Sequence, residues 1–385
     1  MKILFLEQYS KISGGQLCLL DLLEHLDRKK FSAIVGVPEQ GELTTRLSDL
    51  EIETLILPVG NYTQGKKTVF DIIKVLVRTL ILVPRLISII REQRIDLVYV
   101  NAPRAFLWGT LAARLAKVPV IWHVHLILKG NKEKLLARWL LRLGVDHVIC
   151  VSRAVAESFI TEKFKPKNLS IVYNGTDLEQ INPAVDRGIF RDEYRLQPEE
   201  IAIGVIGQLS PAKGQEVFLR AASLILHKFP QAKFFIVGGS SYSPDGQQYI
   251  DRLQGLTEEL GLGESVVFTG QRQDIPKVIA GLDIIVVPSL VPEAFSRVII
   301  EAMAGGRVVV ASNNGAPPEL VRHGEDGFLF DSRQEEQLAQ TVEAILNDRQ
   351  LRAEVESKAR AKAVKQFGIS HYISKISEIL GGISI

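Results

Sequence analysis

The sequence predicts an α/β protein built from two doubly wound domains, each with a parallel sheet. Three observations lead to this prediction. The chain has 385 residues, which is more than a single hydrophobic core usually serves. Short runs rich in β-branched residues alternate with stretches of helical periodicity. A polar segment without strong periodicity, residues 177–200, lies between the two halves and carries Pro183 and Pro198.

Thirteen short apolar runs are the candidate strands, and helical stretches such as LCLLDLLEHL separate most of them. In chain order they are KILFLE, FSAIVGVP, ETLILP, DLVYVN, PVIWHVH, HVICVS, LSIVYNG, AIGVIGQL, KFFIVGG, SVVFTG, DIIVVPS, RVVVAS and GFLF. The predicted domains are residues 1–180 and 201–366, with a linker at 181–200. The last segment, 367–385, is predicted to be helical and to pack back on the first domain.

The composition is that of an ordinary globular protein, with 46% hydrophobic and 23% charged residues. The two cysteines, Cys18 and Cys150, stand in apolar contexts without CxxC spacing, which predicts core positions, a reducing compartment and no metal site. The N-terminus MKILFLEQYS predicts a first strand rather than a signal peptide. No apolar run reaches the roughly 18 residues of a membrane span. We therefore expect a cytoplasmic protein, at most peripheral at the inner face of the cell membrane, without a nucleic-acid partner.

The charge is unevenly distributed along the chain. Residues 1–190 contain 26 basic and 19 acidic side chains, a net charge of +7, whereas the remainder carries −5. Much of the positive excess lies in 66–94 and 128–144, which mix basic residues with long apolar side chains. This mixture is typical of helices on an anionic membrane surface, and equally of domain helices whose charges face water. Pro84 is predicted to kink or divide the first of these segments.

Ligands of doubly wound folds bind at the carboxyl ends of the strands, and three short motifs stand there. Gly14 and Gly15 follow the first strand and open a helix, where backbone N–H groups could approach a phosphate; a simple tight turn would look the same. Lys213 in GQLSPAKGQ could face a diphosphate or only solvent. His123 and His125 alternate onto one side of a strand end, and the alternative is a structural role.

The stretch PSLVPEAFSRVIIEAMAGG holds two glutamates, Glu293 and Glu301, among apolar residues. Such a helix is predicted to be buried, where an unpaired carboxylate is costly. Eight residues of helix rise about 12 Å, close to the distance from a hexose ring to the ribose of a nucleotide-sugar. Each carboxylate could accept hydrogen bonds from a diol. The alternative is an ion pair between Arg297 and Glu301 at i,i+4, which leaves Glu293 unexplained.

Glu293 and Glu301, with seven residues between them, resemble the EX7E element of the retaining glycosyltransferases of family four. Further segments fall in that family's order over essentially the whole chain: VSRAV, VYNGTD, GQLSPAKGQ, FTGQRQDIPKVIAGLDIIVVPS, GAPPELVRHGEDGFLF and QFGISHYIS. The resemblance implies the GT-B fold, two Rossmann-like domains facing a central cleft. It also implies that the first domain binds the acceptor and the second binds the nucleotide-sugar.

The resemblance implies catalytic roles for Glu293, which holds the donor sugar, for His125 beside that sugar, and for Lys213, which neutralises the diphosphate. It places Glu301 on the ribose hydroxyls, the glycine pair on the phosphate, and Gln271 and Arg272 beside the base. The donor-contact positions that it implies are Gly14, Gly15, Gln208, Lys213, Gln271, Arg272, Ala294, Phe295, Ser296, Glu301 and Glu319.

Three positions depart from the family's pattern. Gln208 stands where the family commonly has an arginine that joins the lysine on the diphosphate, so one positive charge is missing. Ser296 replaces a usual glycine, and Leu126 stands where an acidic residue often follows the histidine. These differences bear on rate and donor affinity more than on the fold.

The function implied is transfer of a hexose, with retention, from a nucleotide-diphosphate sugar to a saccharide or lipid-linked acceptor, in the synthesis of cell-surface polysaccharide or glycolipid. No DxD motif stands at a strand end, so we expect neither a metal requirement nor a cofactor. A dinucleotide-dependent oxidoreductase would need GxGxxG after a strand, which is missing. A non-catalytic nucleotide-sugar-binding or membrane-recruited module of the same fold is the remaining alternative, and Gln208 favours it.

Overall fold

The computed structural model describes residues 1–59, 69–161, 164–239 and 246–384, and only the backbone of 69–76. The chain divides into two compact units. Unit 1 comprises residues 1–174 together with 370–385, and unit 2 comprises residues 175–369. Each unit contains a parallel sheet, which confirms the predicted α/β class with two doubly wound domains.

Within the described residues, unit 1 has a seven-stranded sheet in the order β3-β2-β1-β4-β5-β6-β7. Its central strands are buried along their length, because a parallel sheet with covered faces needs continuous apolar runs. The strands are β1 (Lys2–Leu6), β2 (Ser32–Val37), β3 (Glu53–Ile56), β4 (Leu97–Val100), β5 (Val120–Val124), β6 (His147–Cys150) and β7 (Leu169–Ile171).

The helices of unit 1 connect successive strands, as parallel pairing requires. Pro84 lies inside a helix that continues to Glu92, so it does not divide the segment. The helices before the unit boundary are α1 (Gly14–His25), α2 (Glu42–Asp49), α3 (Val69–Glu92), α4 (Ala105–Ala116), α5 (Asn131–Arg142) and α6 (Arg153–Glu157).

Within its described residues, unit 2 has a six-stranded sheet in the order β10-β9-β8-β11-β12-β13. Its strands are β8 (Ile201–Ile206), β9 (Ala232–Val237), β10 (Val266–Gly270), β11 (Ile284–Val287), β12 (Val308–Ser312) and β13 (Phe328–Phe330). Its helices are α7 (Gly188–Glu193), α8 (Gln215–Lys228), α9 (Gly246–Glu259), α10 (Ile275–Gly281), α11 (Arg297–Ala304), α12 (Pro317–Leu320), α13 (Glu335–Asn347) and α14 (Arg349–Gln366). Each of the thirteen candidate runs overlaps one of the strands of these two sheets.

Two segments near the predicted boundaries have defined structure. The stretch 181–200 contains α7 and groups with unit 2, because Phe190 is fully buried and packs against Phe235. The last helix, α15 (Ile369–Gly381), buries Tyr372, Ile376 and Leu380, which are four residues apart on one face. Residues 370–385 group with unit 1.

Both cysteines lie in the core, as predicted from their apolar neighbours. Cys18 is 2% exposed and Cys150 is fully buried. Burial raises the pKa of the Cys150 thiol to about 12, since the interior disfavours the thiolate. No helix in the described part of the chain is long and apolar enough to cross a membrane.

In both sheets the strand order reverses next to the first strand of the unit, at β1/β4 and at β8/β11. The chain leaves these neighbouring strands in opposite directions, so a crevice opens at their carboxyl ends. The loops that follow β8 and β11 lie there in unit 2. The residues that follow β1, β4 and β5 lie at the corresponding edge in unit 1.

Candidate active site

Lys213 and Glu293 meet in unit 2, although they are 80 residues apart in the chain. Lys213 Nζ lies 2.6 Å from Glu293 Oε1. The Glu293 side chain is 9% exposed and that of Lys213 is 39% exposed, so the carboxylate is buried behind a more accessible ammonium group. The two residues follow β8 and β11, which are neighbours in the sheet. Two of the three predicted catalytic residues thus form one ion pair.

The loop that carries Lys213 is held against the loop after β11 by backbone contacts. Leu290 N donates to Ala212 O at 2.9 Å. Gly214 has a φ of +74°, and a Cβ there would lie 1.9 Å from the Pro288 carbonyl oxygen. Only glycine fits this close approach in a left-handed conformation. The backbone therefore fixes where Lys213 projects.

Glu293 is positioned by a second glycine, Gly315, which the sequence reasoning missed. Glu293 N donates to Asn314 O at 3.1 Å, and Ala316 N donates to Glu293 O at 2.9 Å. Gly315 has a φ of +87°, and a Cβ there would lie 2.4 Å from Glu293 O. The glycine of the quoted segment GAPPE is thus required by the approach of Glu293.

Ser289 is a further residue of this site that the sequence reasoning missed. Its hydroxyl donates to Glu293 Oε1, the same oxygen that Lys213 contacts. Ser289 is almost fully buried and follows the strand β11 by two residues. Ser289 follows a buried apolar run at the carboxyl end of a strand, where ligands bind in such folds. This position in the sequence could have identified it as a site residue.

Glu301 lies inside α11, and its carboxylate faces Arg297. Arg297 Nε lies 3.2 Å from Glu301 Oε1, which confirms the i,i+4 ion pair considered from the sequence. The helix begins at Arg297, so Glu293 precedes it and the helical rise of about 12 Å does not apply to the two glutamates. Glu301 is 9% exposed, so Arg297 supplies the partner that a buried carboxylate needs.

The remaining predicted donor contacts of unit 2 stand on loops around this ion pair. Ala294 and Phe295 lie between Glu293 and Ser296, the residue that precedes α11. The Gln208 carbonyl accepts from Gln215 Nε2 at 3.0 Å, which ties its loop to α8.

The predicted base-lining residues, Gln271 and Arg272, follow β10 at the same sheet edge. Arg272 is held by Glu193 and Asp274, whose hydrogen bonds raise the pKa of its guanidinium. Glu319 lies in α12, four residues after Gly315.

In unit 1, Gly14 and Gly15 begin α1 beside His125. A Cβ at Gly15 would lie 3.7 Å from His125 Cβ and Cγ, whereas nothing lies within 4 Å of a Cβ at Gly14. The predicted glycine loop and the predicted histidine are therefore neighbours at one edge of the sheet. Gly14 is exposed to solvent, so a ligand can approach it.

The two histidines of β5 share one side of the strand end, as the alternation predicted, with ring centroids 4.0 Å apart. His123 is fully buried, and its Nδ1 forms a hydrogen bond with the Tyr99 hydroxyl oxygen, 2.8 Å away. His125 is half-buried, and its Nε2 lies 2.9 Å from Asn101 Oδ1. Burial lowers the pKa of His125 to about 3, so the ring is neutral at pH 7. Of the two rings, His125 is the one that a ligand can reach.

Glu7 is a fully buried carboxylate that follows β1, and the sequence reasoning assigned it no role. Its oxygens accept hydrogen bonds from the side-chain amides of Asn101 and Gln16. Desolvation raises its pKa. A charged residue directly after an apolar strand was the sequence signal that could have identified Glu7. Among the described residues, no three His, Cys, Asp or Glu side chains are arranged to hold a metal ion.

Two family profiles match the chain. That of the "Glycosyl transferases group 1" matches residues 186–362, and that of "Glycosyltransferase Family 4" matches residues 12–180. Among solved structures, Anabaena HepE in complex with UDP is 30% identical, with a TM-score of 0.87 and full coverage of both chains. The same protein in complex with UDP-glucose gives a TM-score of 0.86 at 30% identity and full coverage.

Two curated relatives have named activities. The Escherichia coli UDP-Gal:alpha-D-GlcNAc-diphosphoundecaprenol alpha-1,3-galactosyltransferase is 26% identical, over 98% of this chain and 96% of the relative. The D-inositol 3-phosphate glycosyltransferase of Mycobacterium sp. (strain KMS) is 33% identical over 52% of this chain and 45% of its own length.

Proposed function

Because the chain belongs to the group 1 glycosyl transferases of family 4, we propose that it moves a hexose from a uridine diphosphate sugar to a lipid-linked saccharide, with retention of the anomeric configuration. Membership of this family makes it a glycosyltransferase of the GT-B fold that uses a nucleotide-sugar donor. The uridine base is supported by the ligands bound to HepE. The lipid-linked acceptor is supported by the name of the Escherichia coli relative.

The observation that carries this proposal is the ion pair of Lys213 and Glu293. Transfer requires the bond between the sugar and the diphosphate to break, so the departing phosphate must be stabilised as negative charge develops on it. Lys213, which follows β8, is a cationic group suited to that task at the switch point of unit 2. Glu293, which only accepts hydrogen bonds when ionised, suits the hydroxyls of the sugar.

The ion pair also gives the buried carboxylate of Glu293 a counter-charge. The carboxylate of Glu293 accepts hydrogen bonds from both Lys213 and the Ser289 hydroxyl. When a diphosphate binds, the exposed ammonium group can turn toward it, and Glu293 then becomes available to a sugar hydroxyl. The leaving phosphate would itself help to deprotonate the acceptor, with front-face attack and no metal ion.

A panel of donors tests the proposed activity. We expect slow hydrolysis of UDP-hexoses, measured as released nucleotide, and faster release when a lipid-linked saccharide is added. Turnover of GDP- or ADP-sugars in preference to UDP-sugars would overturn the choice of base. Tight UDP binding without hydrolysis or transfer would instead support a non-catalytic nucleotide-sugar-binding module, which the neutral Gln208 favours.

Glu301, which forms an ion pair with Arg297, is the proposed contact of the ribose hydroxyls. We expect Glu301→Ala to weaken UDP binding about tenfold or more, since hydrogen bonds to a charged group contribute about 1.5–3 kcal/mol each. Isothermal titration calorimetry with UDP measures this effect.

The matched control for Glu301 is Glu356→Ala. Arg352 and Glu356 form another i,i+4 ion pair in unit 2, at 2.9 Å, on the helix α14. This variant should bind UDP like the parent. If both variants bind UDP equally well, Glu301 does not contact the ribose.

The acceptor side of the proposal includes an anionic membrane surface. One face of α5 and the residue after it is apolar yet exposed: Leu135 is 66% exposed, Leu136 44%, Trp139 49% and Leu143 39%. The exposed basic residues Lys132 and Arg142 flank this face. An apolar stripe with basic neighbours is typical of helices that lie in a membrane interface.

The other predicted membrane segment, 66–94, is only partly described. Lys66 and Lys67 lie outside the described residues, as does the side chain of Lys74. Within α3, Leu80 and Ile81 are 74% and 58% exposed. Both segments therefore present apolar side chains to solvent in the unit that carries the positive excess.

We expect the double variant Leu135→Glu/Trp139→Glu to lose most of its binding to phosphatidylglycerol vesicles, by about tenfold or more, because each large apolar side chain contributes about 1.5–3 kcal/mol on burial. Vesicle co-sedimentation measures this binding. Val364→Glu is the matched control, since Val364 is 51% exposed but lies in unit 2. Equal sedimentation of the double variant and the parent would exclude this surface.

A further inference from the structure

We propose that Glu7 is a positioning residue that orients His125 and the glycine loop together, through Asn101 on one side and Gln16 on the other. The proposal deepens the proposed function, because it rests on His125 and the loop of Gly14 and Gly15 facing the donor, as the family resemblance implies. The hydrogen bonds themselves lie wholly within unit 1 and can be tested without a donor.

The fold brings these groups together at three strand ends. Glu7 follows β1, Asn101 follows β4 and His125 follows β5. The strands β1, β4 and β5 are consecutive neighbours in the sheet, so the three side chains lie side by side at its carboxyl edge. Gln16 joins them from the first turn of α1.

One branch of the network runs from Glu7 to the imidazole. Asn101 Nδ2 donates to Glu7 Oε1, and Asn101 Oδ1 lies 2.9 Å from His125 Nε2. Because an ionised carboxylate only accepts hydrogen bonds, Asn101 must turn its NH₂ group toward Glu7 and its oxygen toward the ring. His125 Nε2 must then carry the proton, which leaves Nδ1 as the acceptor of the ring.

The other branch runs from Glu7 to the glycine loop. Gln16 Nε2 donates to Glu7 Oε2 at 2.9 Å, so the Gln16 oxygen points the opposite way. That oxygen accepts hydrogen bonds from the backbone N–H and the hydroxyl of Ser13, the residue before Gly14. The start of α1 is thereby closed by a capping interaction whose direction Glu7 sets.

Only a group without donors can serve both branches at once. A glutamine at position 7 would have one oxygen and one NH₂ group, so either Asn101 or Gln16 would have to reverse its amide. Reversal of Asn101 would move the ring proton to His125 Nδ1. Reversal of Gln16 would remove the acceptor of the Ser13 N–H.

Burial makes Glu7 a costly residue in the folded state. It is fully buried, and its hydrogen-bond donors in the described part of the chain are neutral amide groups. An ionised carboxylate without a cation is expensive in the interior, and desolvation accordingly raises its pKa. Groups that oppose folding in this way cluster at functional sites, so the burial of Glu7 supports a functional role for it.

The test is Glu7→Gln in the full chain without ligand. The imidazole nitrogen chemical shifts of His125, assigned by their loss in His125→Gln, report its tautomer, and amide exchange reports the Ser13 N–H. We expect the parent to carry the proton on Nε2 and to protect Ser13. In Glu7→Gln, we expect either a proton on Nδ1 or faster exchange at Ser13. Turnover of the donor should fall about tenfold or more, because Glu7 orients both groups of unit 1 that are proposed to face the donor, His125 and the loop of Gly14 and Gly15.

Asn101→Ala separates the two branches and serves if Glu7→Gln does not fold. Without the Asn101 oxygen, the ring proton of His125 should no longer be confined to Nε2. The Ser13 N–H should exchange at the rate of the parent. Thr110→Val is the matched control, because it removes the buried acceptor of Trp122 Nε1 in the same unit and should alter neither signal.

The proposal is overturned if the tautomer and the Ser13 exchange rate are those of the parent in Glu7→Gln, or if the tautomer is unchanged in Asn101→Ala. Failure of the parent to turn over any UDP-hexose would instead count against the proposed function, and would leave these two NMR results as they stand.

Discussion

Glu293→Ala should reduce glycosyl transfer by about 10²- to 10³-fold while the protein stays folded. The carboxylate is the proposed partner of the reacting sugar, and removing one such contact from a water-excluded site typically costs 10²- to 10³-fold in rate, roughly 3–4 kcal/mol. Lys213, which is left without its partner, is 39% exposed and can be solvated. Steady-state release of UDP measures the turnover, and thermal unfolding measures the fold.

The chain contains a close control for this variant. Lys228 and Glu343 form an ion pair of the same length, 2.6 Å, in unit 2. Glu343→Ala removes that pair on the outside of the unit and should leave turnover unchanged. A Glu293→Ala enzyme with the parent's turnover would remove Glu293 from the mechanism, whatever the control does.

Lys213→Met should lower turnover by about 10²- to 10³-fold, because the departing diphosphate loses its cationic contact. The effect should be larger here than in a site with a second positive charge, since Gln208 stands where related enzymes commonly have arginine. KM for the donor should rise as well. Steady-state kinetics with a UDP-hexose over a range of donor concentrations separates the two parameters.

Lys213→Met should also destabilise the protein, because the buried carboxylate of Glu293 loses its counter-charge. The double variant Lys213→Met/Glu293→Gln should regain stability but not activity, since the neutral amide needs no cation. A double-mutant cycle on unfolding free energies measures this coupling. If the double variant is less stable than the single one, or if Lys213→Met retains turnover, the ion pair does not have the role assigned to it.

The elements of the fold were predictable from local patterns. An apolar run such as DIIVVPS is short, β-branched and closed by proline, which distinguishes a buried strand from a helix. Glycine at 14 and 15 marked the start of α1, and the apolar neighbours of Cys150 marked its burial. The resemblance to a known family then pointed to Lys213, Glu293 and His125. None of this required knowledge of which strands are neighbours.

Local patterns were insufficient where a residue depends on a distant segment. The stretch 181–200 looked like a linker because it is polar, yet Phe190 is buried against Phe235 of β9. The distance between Glu293 and Glu301 was predicted from the rise of a single helix. However, α11 begins at Arg297, after the β-bridge between Glu293 and Gly315. Each error came from a contact that no sequence period records.

The sequence by itself therefore determined the strands and the chemical groups at the strand ends, because burial and backbone preference act over a few residues. The tertiary structure alone decided which of those groups meet. The order of the strands joins Lys213 to Glu293 across β8 and β11, and it aligns Glu7, Asn101 and His125 across β1, β4 and β5. Hydrogen bonds and ion pairs act only at contact distance, so these partnerships exist only once the sheets have formed.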